Sequence, residues 1–382
     1  MTSAQNLNPA ADDAVVRFLQ PDGTLAPNEQ AEPYRAIVDT LDDDALRQMY
    51  RDMAVIRAFD RQATLLQRQG QLALWPPSWG QEAAQVGSAR ATRAQDTIFP
   101  SYREHVVAKI RGVDPVDILG LMRGTTHGGW DPTDPKNGNT RLYTLVLGTQ
   151  TLHATGLAMG LNFDGRAGSG DVDTDEAVVV YYGDGAASEG DVHEAMVFAA
   201  SYNTPQLFFL QNNHWAISVP VSTQAKAPLV ERSAGYGIPS VRIDGNDVLA
   251  SYAVSRMLLD EARTGGGPRA IEAVTYRRGA HTTSDDPTKY RTREEEAAWD
   301  AKDPISRMKA FLEARGADAA FFADVEREGD ELSADARERI VKLPEPTADS
   351  MFAHVYSEPH ALMEQQAAWL AEYEASFEGG TA

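Results

Sequence analysis

The chain has 382 residues, 42% of them hydrophobic and 24% charged, so it can bury a large core and has the composition of an ordinary globular protein. Its 35 basic and 56 acidic side chains give a formal net charge of −21, which would repel nucleic-acid phosphates and anionic lipid headgroups. We therefore expect no nucleic-acid partner, and an anionic ligand would need a local cationic site.

The chain contains no cysteine, which excludes disulfides, thiolate metal sites and a cysteine nucleophile and agrees with an expected cytoplasmic location. The first residues include Asp12 and Asp13 and have no basic start followed by an apolar stretch, so no signal peptide is predicted. The apolar runs, such as AVVVYY at 177–182, are far shorter than the ~20 residues that a membrane helix requires. We expect no membrane partner.

Three parts are predicted along the chain. Residues 1–44 are rich in Pro, Asn and Asp and predict an N-terminal arm, which either lies over another part of the molecule or is unstructured. Residues 45–345 predict an α/β domain, introduced by an amphipathic helix over 42–69. Residues 346–382 predict a C-terminal helical tail with a frayed end.

The middle of the chain has the pattern of a parallel sheet. Short apolar, β-branched runs predict strands at 178–181, 207–210, 241–243 and 271–275. Helical stretches lie between them at 190–201 and 247–263, and Gly-rich loops are predicted at 167–177 and 264–268. Alternation of strands and helices predicts the α/β class, with a mainly parallel sheet flanked by helices.

One strand–helix–strand unit carries candidate chemistry. The run AVVVYY leads into Gly183, Asp184 and Gly185, and the next strand ends at Asn212 and Asn213. Ligands bind beyond the carboxyl ends of parallel strands, so Asp184 and Asn213 are expected to converge there. Their oxygens, with a nearby backbone carbonyl, suit Mg²⁺, and the glycines would let the backbone approach a phosphate. Asp-Gly alone is more often a turn, but a helix-period segment follows it here instead of a second hairpin strand.

GDG followed by NN, with Asp184 and Asn213 separated by 29 positions, resembles the thiamine diphosphate motif. The stretches that resemble the alpha subunit of branched-chain 2-oxo acid dehydrogenases are YGDGAASEGDVHEA, QNNHWAIS, YGIPSVRIDGNDV, RRGAHTTSDDPTKYR and AAWDAKDPISR. The resemblance covers roughly residues 45–315, and several matches in one order are more specific than any single motif. It implies the thiamine-diphosphate-binding α/β fold.

The resemblance implies a role for each residue at a matching position. The Mg²⁺ ligands would be Asp184, Asn213 and the backbone carbonyl of Trp215, where the family usually has Tyr. The implied cofactor-binding residues are Tyr102, Arg103, Leu145, Leu147, Gly183, Asp184, Gly185, Ala186, Asn213 and His281.

Several of these residues would have ordinary roles without the resemblance. Tyr102 and Arg103 would be a surface pair, but here they would bind the diphosphate and supply the local cation. Leu147 would hold the cofactor in its bent form and Leu145 would give a backbone contact, although periodicity alone makes both core leucines. His281, implied to be catalytic, would reach the diphosphate and the reaction centre, donating a hydrogen bond or moving a proton. The pair Thr149 and Gln150 matches a structural K⁺ site in some relatives.

The implied activity needs other chains. Thiamine diphosphate would serve as the electron sink for decarboxylation of a 2-oxo acid, and the acyl group would pass, with oxidation, to a lipoyl group of the acyltransferase component. In two-chain relatives the glutamate that activates the cofactor comes from the beta subunit, and we find no counterpart for it in this chain. We therefore expect an α2β2 heterotetramer with the cofactor at the α–β interface.

Substrate choice has weaker sequence support. Relatives that act on pyruvate usually have a histidine where this chain has Pro76, which favours branched-chain 2-oxo acids, but Ser101 stands where some animal branched-chain enzymes have Gln. The alternatives are the alpha subunits of pyruvate and acetoin dehydrogenases. Two other classes fit poorly: an NAD-dependent Rossmann enzyme needs G-x-G-x-x-G, which GDGAASEG lacks, and a catalytically silent subunit would have lost Asp184 and Asn213.

Overall fold

The computed structural model describes residues 15–124 and 129–378. The first fourteen residues of the predicted arm and the last four of the predicted tail lie outside this range. The helices are α1 (Arg35–Val38), α2 (Asp43–Arg68), α3 (Glu82–Ala91), α4 (His105–Ile110), α5 (Pro115–Arg123), α6 (Thr149–Phe163), α7 (Gly190–Tyr202), α8 (Val221–Gln224), α9 (Val230–Gly235), α10 (Val248–Glu261), α11 (Arg293–Asp300), α12 (Pro304–Ala314), α13 (Ala319–Ile340) and α14 (Ala361–Glu378). The strands are β1 (Thr97–Phe99), β2 (Val178–Gly183), β3 (Gln206–Asn212), β4 (Trp215–Ala216), β5 (Val219–Pro220), β6 (Ser240–Asp244) and β7 (Arg269–Val274).

Shorter helical segments complete the described elements. The 3₁₀ segments are Glu29–Tyr34, Pro135–Asn137, Ala186–Ser188, Pro287–Lys289 and Ala348–Met351, and a π turn spans Ala262–Gly266. That turn overlaps the Gly-rich loop predicted at 264–268, where Gly265 has φ 99°. The other Gly-rich segment, 167–177, lies between α6 and β2 as predicted.

A five-stranded parallel sheet forms the centre of the molecule, in the order β1-β2-β3-β7-β6. All four predicted strands are present in it, and the predicted fold class is confirmed. The three residues of β1 were not predicted because so short a run has no measurable period. β2 and β3 are neighbours, with Gly183 paired to Gln211, so the segments that follow them start at the same edge. A small antiparallel pair, β4 and β5, follows β3.

Alternate residues of the central strands face two hydrophobic cores. Val179 and Tyr181 of β2 belong to one core, together with residues of α2, α3 and α10. Val180 and Tyr182 belong to the other, together with residues of α6 and α7. Burial on both faces explains why these strands are continuous apolar runs instead of alternating ones.

The predicted N-terminal helix is confirmed by α2, which starts beside the predicted residue 42. The Asp42 carboxylate accepts a hydrogen bond from Ala45 N and caps the helix. α2 packs against α13 and lies in the same core as α3. It therefore forms part of the outer layer on one face of the sheet.

The first described residues of the N-terminal arm lie against β6 and the start of α10. Val16 forms a parallel bridge with Ile243. The backbone N–H groups of Phe18 and Leu19 donate to the Asp247 carboxylate at 2.6 and 2.8 Å.

The tail contains α14, most of whose large apolar side chains are exposed. The domain limits at 44/45 and 345/346 stay predictions. Among the described helices, none is both long and apolar enough to cross a bilayer.

Candidate active site

A cavity of about 320 Å³ lies at the carboxyl edge of the sheet, where β2 and β3 end. This is the edge at which open parallel sheets bind ligands. The predicted residues that line it are Tyr102, Arg103, Leu147, Gly183, Asp184, Gly185, Ala186, Asn213, Trp215 and His281. These come from five separate stretches of the chain, and only the fold brings them together.

Asp184 follows β2 directly, and its carboxylate is buried, with 1% of the residue exposed. Its Oδ2 atom has no hydrogen-bond partner among the described residues. Burial raises the pKa of Asp184 to about 6, although the backbone N–H groups of Asp184 and Asn213 and the Arg277 guanidinium act in the opposite direction. A buried carboxylate oxygen without a partner is unfavourable, and a bound cation would supply one.

Asn213 and Trp215 offer two further oxygens. Asn213 Oδ1 accepts from Trp215 N at 3.2 Å, and the Trp215 carbonyl accepts from Arg277 Nη1 at 2.9 Å. Each of these oxygens has a second lone pair, so it can take another partner. One carboxylate, one amide oxygen and one backbone carbonyl form the hard-oxygen set that Mg²⁺ prefers, and the residues present therefore fit this ion.

The backbone is unusual at two residues close to Trp215. His214 has φ 71° and Ile217, two residues after Trp215, has φ 54°. Left-handed conformations are uncommon for residues other than glycine and cluster at functional sites. Among the described residues, no group of three His, Cys, Asp or Glu side chains could hold a metal ion. The candidate metal site therefore rests on amide and backbone oxygens beside a single carboxylate.

The two glycines of the GDG segment differ in what surrounds them. A Cβ on Gly185 would lie 2.9 Å from the Ala216 Cβ, so close packing requires a glycine there. A Cβ on Gly183 would meet no protein atom within 4 Å. Because Gly183 lines the cavity, its missing side chain leaves room for a ligand to approach the backbone.

Arg103 supplies a cation on the cavity wall. Its Nη1 donates to the Pro77 carbonyl at 2.6 Å, and its Nη2 donates to the His281 carbonyl at 3.0 Å. The guanidinium also lies 5.3 Å from the ring centre of Tyr102. The fold therefore holds Arg103 in one orientation beside the His281 loop, which suits bidentate recognition of an anion.

His281 is neutral at pH 7 in this environment. Burial, together with the charges of Arg103 and Arg277, lowers its pKa to about 3. Its Nδ1 lies 3.3 Å from Arg103 Nη2 and 3.4 Å from Arg277 Nη1, and both of these nitrogens are donors. We infer that Nδ1 accepts and that Nε2 carries the proton. This favours the hydrogen-bond donor role, and proton transfer by His281 stays a prediction.

The two predicted leucines differ in whether they line the cavity, and the two residues of the predicted K⁺ site donate hydrogen bonds to other protein groups. Leu147 lines the cavity, whereas Leu145 is 61% exposed and is absent from the cavity wall. Thr149 Oγ1 donates to Asp191 Oδ2 at 3.1 Å, and Gln150 Nε2 donates to the Tyr181 carbonyl at 2.9 Å. The structural K⁺ stays a prediction.

Glu104 and Gln211 also line the cavity, although the sequence analysis missed both. Glu104 Oε2 accepts from the backbone N–H groups of Ser101 and Arg103 at 2.8 and 3.1 Å. Its Oε1 accepts from Gln211 Nε2 at 2.6 Å. Glu104 thus ties the Tyr102–Arg103 turn to the end of β3. Each residue directly follows or precedes a predicted motif, which is the only signal that could have indicated it.

Ser101 and Pro76, the two positions used to predict the substrate, differ in whether they line the cavity. Ser101 lines the cavity. Pro76 is absent from its wall, and its carbonyl instead accepts from His105 Nε2 at 2.8 Å. His105 is buried against Trp75, and burial lowers its pKa to about 3. Any influence of Pro76 on a substrate would therefore be indirect.

The family model described as the dehydrogenase E1 component matches residues 50–344. The chain belongs to this family. The sequence-based prediction of the family is thereby confirmed, and the family depends on thiamine diphosphate.

Three relatives illustrate the similarity. The 3-methyl-2-oxobutanoate dehydrogenase subunit alpha of Mycobacterium tuberculosis is 44% identical over 345 residues, covering 90% of this chain and 89% of the relative. The pyruvate dehydrogenase E1 component subunit alpha of Bacillus cereus is 37% identical, covering 76% of each chain. The subunit of the same name from Acholeplasma laidlawii is 35% identical, covering 89% of this chain and 94% of the relative.

Proposed function

We propose that this chain is the alpha subunit of the decarboxylating component of a branched-chain 2-oxo acid dehydrogenase complex. It would take part in the oxidative decarboxylation of 3-methyl-2-oxobutanoate and related acids, with transfer of the acyl group to a lipoyl group. The observation that carries the proposal is the buried Asp184 carboxylate, whose Oδ2 has no partner among the described residues, beside Asn213 and the Trp215 carbonyl at the ligand-binding edge of the sheet. The 44% identity to the mycobacterial subunit supports the branched-chain substrate.

The cofactor would be thiamine diphosphate with Mg²⁺, which supplies an electron sink for the decarboxylation. Asp184, Asn213 and the Trp215 carbonyl would hold the ion. Arg103 would bind the diphosphate and offset part of its charge, which matters in a chain with a net charge of −21. Neutral His281 would donate a hydrogen bond from Nε2 toward the cavity.

The site would be completed by a beta subunit in an α2β2 assembly. At the cavity mouth, Ile217 and Val219 are 53% and 40% exposed, and the neighbouring Leu145 and Val146 are 61% and 70% exposed. A rim of large exposed apolar side chains around a ligand cavity is characteristic of a surface that a partner covers. The lipoyl group would come from an acyltransferase component.

The alternative is an alpha subunit of pyruvate or acetoin dehydrogenase. The relatives named as pyruvate dehydrogenase subunits, at 37% and 35% identity, keep the pyruvate assignment in consideration. The two substrates differ by branched methyl groups, and a hydrophobic pocket discriminates such groups by about 10- to 200-fold per methylene. A direct comparison of substrates therefore separates the two assignments.

The test is to co-express the chain with its candidate beta subunit and to measure dye reduction that depends on a 2-oxo acid, thiamine diphosphate and Mg²⁺. We expect kcat/KM for 3-methyl-2-oxobutanoate to exceed that for pyruvate by at least about tenfold. A preference for pyruvate would overturn the substrate assignment. Full activity of the chain without a partner would overturn the proposed interface.

A further inference from the structure

Gln81 lines the cavity but belongs to none of the motifs that indicate the cofactor. It is 1% exposed and stands at the N-cap of α3, yet its side chain makes no capping hydrogen bond. A buried amide has two donor hydrogens and an acceptor oxygen that need partners. Its side chain is therefore committed to something other than the helix.

The hydrogen bonds around Asn213 determine which end of each amide is the oxygen. Asn213 Oδ1 accepts from the backbone N–H of Trp215 at 3.2 Å, so the other end of the Asn213 amide must be the NH₂ group. That group donates to Gln81 Oε1 at 2.9 Å. Gln81 thereby fixes the orientation of the amide whose oxygen is a candidate metal ligand.

The same arrangement leaves the other end of the Gln81 amide free. Its Nε2 is buried and has no hydrogen-bond partner among the described residues. In the described part of the cavity wall, the other buried side-chain atoms in this state are Asp184 Oδ2 and Gln224 Nε2. Asp184 offers a carboxylate oxygen suited to a cation, whereas Gln81 offers an N–H donor suited to an anionic oxygen. A metal bound to a diphosphate presents both charges.

We propose that Gln81 is a cofactor-positioning residue: its Oε1 holds the Asn213 amide in the metal-binding orientation, and its Nε2 donates a hydrogen bond to an oxygen of the bound diphosphate. This inference rests on the proposed function, because it takes the ligand of the cavity to be thiamine diphosphate with Mg²⁺. It extends that function to a residue before α3, on a different segment from GDG and NN.

Two variants separate the two roles. Gln81→Glu keeps an oxygen that can accept from Asn213 but replaces the free donor with a negatively charged oxygen. Gln81→Met has a similar length and loses both groups. We expect Gln81→Glu to raise the Kd for thiamine diphosphate about 10- to 100-fold at saturating Mg²⁺, the range for loss of a hydrogen bond to a charged group. Gln81→Met should in addition raise the Mg²⁺ concentration needed for half-maximal cofactor binding.

Gln206 provides a matched control. It is also fully buried, its Oε1 accepts hydrogen bonds from Thr155 and Thr204, and its Nε2 has no partner among the described residues. It lies at the opposite end of β3, away from the cavity. Gln206→Glu therefore introduces the same buried charge without approaching the cofactor, and we expect its Kd for thiamine diphosphate to match that of the unmodified protein.

The measurement is calorimetric titration of the chain assembled with its partner, with thermal melting of each variant. A Kd for Gln81→Glu within about twofold of the unmodified protein would overturn the donor role, and an unchanged Mg²⁺ requirement in Gln81→Met would overturn the orienting role. Equal losses in Gln206→Glu and Gln81→Glu would also overturn the inference. If the unmodified assembly fails to bind thiamine diphosphate with Mg²⁺, the proposed function itself is wrong.

Discussion

Two aspartates at carboxyl ends of strands in the same sheet have opposite environments. Asp184 follows β2, near the middle of the sheet, and Asp244 ends β6 at its edge. Asp244 pairs with Arg17 at 2.8 Å and with Arg307 at 2.9 Å. Although burial acts to raise its pKa, these two guanidinium groups hold the pKa of Asp244 below its usual range, whereas that of Asp184 is raised to about 6.

The difference distinguishes a structural carboxylate from a ligand-binding one. The charge of Asp244 is compensated within the chain, so that carboxylate joins the N-terminal arm and α12 to the sheet. Asp184 keeps an unpartnered oxygen inside a cavity, and its burial is unfavourable until a cation binds. Burial alone therefore does not reveal function, whereas an unpartnered carboxylate oxygen in a residue that lines a cavity indicates a ligand-binding role.

The largest effect is expected for Asp184→Asn, which removes the carboxylate with little change of shape. Mg²⁺-dependent affinity for thiamine diphosphate should fall at least about 100-fold, because the ligand that carries the charge is lost. The isolated chain should gain stability, on the order of 2 kcal/mol at pH 7. Burial raises the folded-state pKa of Asp184 to about 6, above the ordinary pKa of an aspartate, so ionisation opposes folding. Titration calorimetry and urea unfolding measure the two quantities. Retained cofactor affinity would remove Asp184 from the metal site.

Asp244→Asn should lower the stability of the chain, whereas Asp184→Asn should raise it. Removing this carboxylate breaks its ion pair with the buried Arg307, so the free energy of unfolding should fall by about 3 kcal/mol. Because the folded-state pKa of Asp244 is lowered, its stabilisation is present above about pH 4 and is lost as the pH falls through that lowered pKa. Urea unfolding of the chain at pH 7 and pH 3 provides the check. Equal stability of variant and unmodified chain at pH 7 would contradict the contrast with Asp184.

Arg103→Lys tests whether the cavity needs a fork-shaped cation or only a positive charge. The lysine keeps the charge but cannot reach the Pro77 and His281 carbonyls while binding a phosphate. We expect the Kd for thiamine diphosphate to rise about tenfold, with little change in melting temperature. Titration of the assembled protein gives this value, and an unchanged Kd would mean that charge alone suffices.

The smallest effect is expected for Trp215→Tyr, which introduces the residue that the resemblance implies at this position. The candidate metal ligand at this position is a backbone carbonyl, so the Mg²⁺ requirement should stay within about twofold. The indole Nε1 donates to Glu295 at 2.9 Å, and loss of this bond should lower stability by about 1 kcal/mol. A large rise in the Mg²⁺ requirement would show that the side chain, and not only the backbone, shapes the metal site.

Much of the fold could be predicted because its signals are local. α2 has the three- and four-residue apolar spacing of an amphipathic helix, and the apolar runs of β2, β3, β6 and β7 are bounded by turn residues. The order of strands in the sheet could not be read in this way. It places β7 between β3 and β6, and this order depends on packing between segments distant in sequence.

The residues of the candidate site also differ in whether a local sequence signal or only the fold indicates them. Asp184 and Asn213 could be predicted because each directly follows a recognisable strand, and the parallel arrangement brings strand ends together. Glu104 and Gln211 were missed because their importance depends on a hydrogen bond between residues more than a hundred positions apart. Leu145 was predicted to give the cofactor a backbone contact; the residue is 61% exposed and absent from the cavity wall, and the backbone contact stays a prediction.

The sequence by itself determined the α/β class and the family, and it predicted that Asp184 and Asn213 converge, since periodicity and motif order are properties of short segments. Only the tertiary structure decided that Asp184 Oδ2 has no partner among the described residues while Asp244 pairs with two arginines, and that Gln81 accepts a hydrogen bond from Asn213. The reason is physical: pKa values and unsatisfied hydrogen bonds depend on distance and burial, and the fold sets both.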